Sequence, residues 1–484
     1  MATASDWGLL SYYDRNGIYC EMFGGGALPA DHTSAIRDRL DKISLRGLRR
    51  RSIAAEKELF NLGITFTVYS EKDAIDRVLP FDVIPRVLSQ LDWQTLETGV
   101  QQRVAAINAF LHDIYHDQHI LNDGTVPKEL VLNNKNYQPA MEGLDVPHGT
   151  YVHICGIDIV RDPNGQFLVL EDNARTPSGV SYVVENRYLM QRAFPDLMRG
   201  MRIRSVSDYG PKLQRALADV APKGVSEPNV ALLTPGVFNS AYFEHVFLAR
   251  EMGVPLISGS DTYVDDNDKV FMRTTAGPVR VHVIYRRVDD AFLDPEAFRP
   301  DSLLGVPGLM RAYRKGNVTI ANAIGTGVAD DKAVYAYMPR IIKYYLDQDP
   351  IIQNVHTNIC REKDGLDYTL AHLNELVTKP VGESGGYGIV IGPHASEAEL
   401  EESRKKIMDD PDNFISQPMI NLSVCPTLVE GGIEPRHVDL RPFAVTGQST
   451  WVLPGGLTRV ALRKGSIVVN SSQGGGSKDT WVLG

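Results

Sequence analysis

Apolar and polar positions along the chain switch between two spacings, and the switches mark three regions. From about Ala55 to Ile120 the pattern is mainly helical: AEKELFNLG ends at a glycine, ITFTVY reads as a strand, and LETGVQQRVAAINAFLHDIY repeats apolar residues at three and four. A hairpin follows, in which YVHICGIDIVRD and QFLVLEDN are joined by the turn Pro163, Asn164, Gly165. From about Asn229 strands and helices alternate. VALLTPG is a strand entering a glycine turn, YFEHVFLAREMG a helix closed by glycine, VPLISG the next strand and VRVHVIYRRV another, ending near a helix from Lys332 to Asp347. From Thr369 onward a helix precedes ELVTKPV and YGIVIG, and NFISQPMI, RHVDLRPFAV and GSIVVN read as further strands. The alternation predicts an α/β chain with α+β elements and boundaries near Ser205 and Gly325, giving regions 1–204, 205–325 and 326–484.

Length and composition fit that division. The 484 residues suffice for three units at ~150 residues each, and 43% hydrophobic with 23% charged residues excludes large-scale disorder. Fifty Lys+Arg against sixty Asp+Glu give a net charge of -10, so the overall field offers no attraction to nucleic acid or an anionic membrane. Any phosphate site must be local. No apolar run approaches the ~18 residues of a spanning helix, and the start lacks a charged leader with an apolar stretch, which predicts a cytoplasmic protein. Cys20, Cys155, Cys360 and Cys425 are scattered without a CxxC or Cys/His cluster. They read as small buried apolar residues rather than zinc ligands or disulfides.

Three stretches carry candidate chemistry. In GIDIVRDPNGQFLVLEDNARTPSG, the turn brings Asp158 against Glu171 and Asn173, which share one strand face. Two carboxylates and an amide oxygen make the hard oxygen set that Mg²⁺ prefers, with Arg161 and Arg175 nearby for phosphate or carboxylate. The plain alternative is an exposed hairpin with solvated acids. In ELVTKPVGESGGYGIVIG, Lys379 leaves a strand into a loop carrying Gly382, Gly385, Gly386 and Gly388, suited to closing backbone amides around phosphate. The same loop formally fits GxSxG around Ser384, but that elbow needs a following helix and YGIVIG reads as a strand. A glycine-rich surface hairpin is the remaining alternative. In VTIANAIGTGVADDKAVYAYMP, Asp330 or Asp331 can serve as an N-cap, whereas Lys332 in a first helical turn calls for a nearby anion. As a Rossmann fingerprint this stretch fails, because Asp330 holds the third glycine position.

Together these motifs resemble the ATP-grasp superfamily of ADP-forming carboxylate-amine ligases, in which an Asn...Asp-Lys segment and a strand Lys-Pro before a glycine loop supply two phosphate lysines. Here the acidic hairpin precedes the lysines, so the chain resembles the circularly permuted ATP-grasp proteins of type 2, often labelled glutathionylspermidine synthase-like. LEDNARTPSGVSY, LLTPGVFNSAYFEH, VIYRRVDD, GTGVADDK, RHVDLRPF and VVNSSQGGGSKDTWVL carry that likeness from about Phe60 onward. It implies a permuted ATP-grasp fold with a Rossmann-like α/β substrate domain at 205–325. It also implies ATP and Mg²⁺, with Asp158, Glu171 and Asn173 on the metal, and Lys332, Lys379, Gly385 and Gly386 on the phosphates.

By the same likeness Gln417 and Met419 fall in the adenine hinge. Arg441 faces phosphate or an acyl intermediate, unless it pairs with Asp439 on its own face. Arg175 stands beside the acids, and Arg286 or Arg287 meets a substrate carboxylate; their side chains alternate, and Arg286 is the candidate. The tail from Gln473 to Lys478 is an anion-binding candidate whose plain alternative is a disordered terminus. The implied activity joins a small-molecule or peptide carboxylate to an amine through an acylphosphate. A nucleotide-binding partner protein without turnover and a serine hydrolase centred on Ser384 are the alternatives. Oligomeric state stays open.

Overall fold

Caps and turns set the element boundaries in the computed structural model, which describes residues 8–26, 30–69, 74–381, 388–466, 469 and 475–484. Helices α1 (Ser34–Leu40) and α2 (Leu45–Asn61) come first. Ser44 caps α2 by accepting from the Gly47 amide, and the chain turns away through Gly63 at φ 66°. Strand β1 (Phe81–Leu88) is buried at every position, which erases the alternation that would have announced it. Helix α3 (Gln90–Ile114) is capped by Ser89.

The expected hairpin is β2 (Ile154–Arg161) and β3 (Phe167–Asn173), closed over Gly165 at φ 83°. Then come α4 (Val180–Ala193), β4 (Val230–Leu233), α5 (Tyr242–Met252), β5 (Leu256–Ile257), β6 (Val283–Arg286), β7 (Thr319–Ala321) and α6 (Lys332–Leu346). The chain continues through β8 (Gln353–Asn354), β9 (Asn358–Ile359), β10 (Leu376–Pro380), β11 (Val390–Ile391), α7 (Glu397–Asp409) and β12 (Phe414–Pro418). It closes with β13 (Phe443–Thr446), β14 (Thr450–Val452), β15 (Thr458–Val460) and β16 (Gly476–Val482).

Four sheets frame the site. A five-stranded sheet runs β8-β3-β2-β13-β14, and an antiparallel one runs β9-β12-β10-β11. Between them in sequence lies the Rossmann-like sheet, β7-β6-β4-β5, parallel throughout. Its strand order reverses between β4 and β6, where ligands collect in open sheets. The last sheet, β15-β16-β1, pairs β16 in parallel with β1. Strands from the first and last sequence regions thus share two sheets.

The largest apolar cluster joins Ile107 and Phe110 of α3, Ile157 and Ile159 of the hairpin, Ile284 and Ile320 of the parallel sheet, and Tyr335 and Ile341 of α6. It anchors the hairpin to α6, the helix that begins with Lys332.

Several expectations change. The helix placed at Thr369 spans Lys363–Ala371, and α7, with its Ser396/Glu399 capping box, adds a helix that the apolar pattern does not announce. RHVDLRPFAV is interrupted: Gly432–His437 pairs with Val424–Val429, Val438, Leu440 and Arg441 make single bridges, and Phe443–Thr446 is a separate strand. Residues 467, 468 and 470 of GSIVVN lie outside the described residues. Gln473 and Gly474 of the tail lie outside the described residues, while Gly476 to Lys478 begin a buried strand, β16, and the Lys478 ammonium is spent on Asp82 (2.8 Å), Pro426 O (2.9 Å) and Ile84 O (3.1 Å). It therefore has no face for an anion. All four cysteines are free and buried, as expected. No helix among the described residues is long and apolar enough to cross a membrane.

Candidate nucleotide and metal site

The hairpin register builds one polar face. Asp158 lies opposite Glu171 and Gly156 opposite Asn173, and a register shift just after Asp158 kinks the ladder beside the acids. On the other face Asp172 is clamped by Arg103 from α3 at 2.6 and 2.7 Å, which fixes β3 from behind. At Gly156 an added Cβ would meet the Arg441 side chain and Pro177 at 3.2 Å, so the glycine leaves the space that Arg441 fills.

Asp158 is buried, and its carboxylate is fully committed. Arg441 grips both oxygens through Nε and Nη2, Arg459 donates to Oδ2 at 2.7 Å, and the Asn173 amide donates to Oδ1 at 3.3 Å. Burial would raise its pKa, but the two guanidiniums outweigh that and hold the carboxyl well below the usual range. Asp439 is taken by Arg459, not by the Arg441 on its own sequence face.

Across the cleft, Asp331 caps α6 by accepting from the Ala333 amide at 2.8 Å, and Lys332 sits 3.6 Å from Glu171. That contact is the anion a first-turn lysine calls for. Lys379, on β10, donates to Gln417 Oε1 on β12 at 2.6 Å, and Gln417 Nε2 donates to Thr357 at 2.9 Å. Burial pushes Lys379 down to about 8; Glu171 and Asp158 pull upward while Lys332 pushes further down. The hinge expectation for Gln417 changes accordingly, since its side-chain oxygen serves the lysine. Met419 is half-buried just past β12. Gly385 and Gly386, with Ser384, lie outside the described residues. Among the described residues the next strand or helix is β11, antiparallel to β10, whereas a nucleophile elbow needs a helix there.

A cleft of about 430 Å³ opens over this face, its lining including Glu171, Asn173, Lys332, Lys135, Asn136 and Arg175. Arg175 pairs with Asp289 at 2.8 Å and lies 3.5 Å from Asp330. Asp330 accepts from the Ala174 and Arg175 amides, tying the loop after β3 to the start of α6, and burial pushes it up to about 6 despite Arg175.

Arg286 stays out of the cleft. It is wholly buried, donates to the carbonyls of Asn322, Val288 and Ala323 and forms an ion pair with Asp290, so the expectation that it meets a substrate carboxylate is corrected: it staples β6 to the segment after β7. Arg287 is likewise taken, by Pro177 O, Ser178 and Glu244. Arg161 holds Glu21 and Asp92 and is not a phosphate ligand.

For a magnesium ion the donor set fits in part. The Glu171 carboxylate is a third exposed in the cleft, and the Asn173 oxygen takes no hydrogen bond among the described residues. Asp158 would have to release an arginine, and no group of three or more His, Cys, Asp or Glu among the described residues is placed to hold a metal. Glu171 and Asn173 are the fitting donors. Sequence reasoning missed Arg459, Gly156, Lys135 and Asn136; Arg459 lies 301 residues from Asp158, and no local pattern links the two.

The family model for circularly permuted ATP-grasp type 2 matches residues 85–461. The chain belongs to that family. As a circularly permuted ATP-grasp protein it falls, in general class, among ATP-dependent ligases. It is 50% identical to an uncharacterized protein of Synechocystis sp. over 98% of both chains, and 51% identical to one of Mycobacterium tuberculosis over 97% of this chain and 86% of that one. A longer Frankia casuarinae protein, provisionally named glutamate–cysteine ligase 2-2, is 41% identical over 98% of this chain, which spans 54% of that protein. A glutathione synthetase-like effector from Globodera pallida, in its apo form, shares the fold with TM-score 0.57 at 11% identity, over 91% of this chain and 98% of that one.

Proposed function

We propose that this permuted ATP-grasp protein joins a carboxylate to an amine using ATP, through an acylphosphate, with release of ADP and phosphate. The observation that carries the reading is the meeting of Glu171 with Lys332 at 3.6 Å, beside a Lys379 whose ionisation already responds to Glu171, Lys332 and Asp158. Glu171 of the acid hairpin and Lys332 line one cleft, and Lys379 lies close enough to feel both charges, which supports a polyphosphate between them. In the first step a carboxylate oxygen attacks the γ-phosphorus and ADP leaves. Lys332 and Lys379 offset the charge on the phosphate oxygens, and Arg441, held rigid by Asp158, adds a fixed cation. An amine then attacks the acyl carbon and phosphate departs. Mg²⁺, held by Glu171 and Asn173, would supply further charge on the phosphates when bound. Lys135 and Arg175 in the cleft lining suit the substrate carboxylate, which the glutamate–cysteine ligase name of the Frankia relative also favours.

The test is ADP release with Mg²⁺ across pooled carboxylates and amines. Glu171→Gln is expected to abolish release and Ser384→Ala to retain it. Release that depends on Ser384 and ignores Glu171 would reject the ligase in favour of a hydrolase.

A further inference from the structure

Another cleft, of about 400 Å³, shares no residue with the nucleotide cleft. It is lined by Arg39 of α1, by Lys42 in the link to α2, by Arg50 and Arg51 of α2, and by Asp196. Four cations therefore meet one acid, on a chain whose net charge is -10.

The wall is already organised. Arg51 donates twice to Asp196, at 2.8 and 2.9 Å, over the Phe194 ring, and Arg39 donates to Leu197 O at 2.7 Å. Asp196 is thereby consumed by Arg51, and its carboxyl is held below the usual range by that guanidinium despite some burial. The Lys42 and Arg50 side chains are exposed and take no hydrogen bond or ion pair among the described residues.

We propose that this cleft binds a small multivalent anion carrying two or more phosphate or carboxylate groups. One such molecule answers Lys42 and Arg50 together, where a monovalent ion answers one. The cleft volume lies in the small-molecule range. Nucleic acid is disfavoured because no aromatic side chain lines the cleft for a base to stack on, and the cations converge on a hollow rather than following a track. The inference is independent of the ligase reading.

Calorimetric titration with inorganic tripolyphosphate and, separately, with citrate tests it, in a chain carrying Lys332→Ala and Lys379→Ala so that the other cleft is disarmed. One equivalent is expected to bind, tripolyphosphate tighter if the natural ligand is a phosphate compound and citrate tighter if it is a polycarboxylate. Adding Lys42→Glu and Arg50→Glu should weaken binding about tenfold or more, with the thermal midpoint unmoved because neither side chain makes a hydrogen bond or ion pair among the described residues. Failure of both probes to bind the disarmed chain, or binding that charge reversal leaves unchanged, overturns the proposal.

Discussion

Lys379 is the residue whose environment makes the sharpest demand. Its folded pKa of about 8 lies below the 10.5 of a free lysine. Between those values the unfolded chain binds more protons, so this lysine's contribution to stability rises as pH climbs through that window. Phosphate binding needs the opposite, the charged form. ATP affinity is therefore expected to fall above pH 8, approaching tenfold per pH unit where one proton is obligatory. Calorimetry in buffers of different ionisation enthalpy should register proton uptake on binding, and Lys379→Met should remove both effects.

Asp158 and Glu171 should likewise separate. Asp158→Asn takes the carboxylate partner from Arg441 and one of two from the buried Arg459, an expected loss of about 3–5 kcal/mol in denaturant unfolding. It should leave Mn²⁺ affinity, read by electron paramagnetic resonance, largely intact. Glu171→Gln, at a partly exposed position, should do the reverse.

At the scale of elements, Asn322 is the joint between the parallel sheet and the hairpin. Its side-chain oxygen accepts from the His153 and Ile154 amides at 2.7 and 2.8 Å, and its amide donates to Ile154 O and Ala174 O at 2.6 and 2.8 Å. Asn322→Ala strands several buried backbone groups at once and should cost roughly 3–5 kcal/mol, at about 1–3 for each group left unpaired, measured as a lower urea midpoint. Elements that announce themselves locally were legible in the sequence: the hairpin through its Asn-Gly turn, α5 through Gly253 at φ 67°, and α6 through Asp331. Strand β1 was not, because burial on both faces leaves no alternation to read. Nor was α7, whose Ser396/Glu399 box opens a helix with too thin an apolar stripe to mark it. In the site, Glu171, Asn173, Lys332 and Lys379 were legible as types in motifs. That Asp158 would be taken by Arg441 and Arg459, and Arg286 by main-chain carbonyls, depends on partners brought together only by the tertiary fold.

For the molecule as a whole, the pairing of β16 with β1 and of β13 with β2 stitches late sequence to early sequence. Trp481 and Lys478 of β16 are fully buried, and Lys478 ties β1 to the Val424–Val429 strand through Asp82 and Pro426. A chain ending at residue 466 is expected to lose its cooperative thermal transition, checked by calorimetry against the full chain.

The same stitching sets a timetable for biosynthesis. The hairpin and α3 leave the ribosome several hundred residues before the strands that cover them, so the nascent chain must wait with sticky edges exposed. The hairpin is paired on both sides only once Phe443–Thr446 has cleared the exit tunnel, which makes arrested translation products natural clients of holding chaperones and early targets for proteolysis.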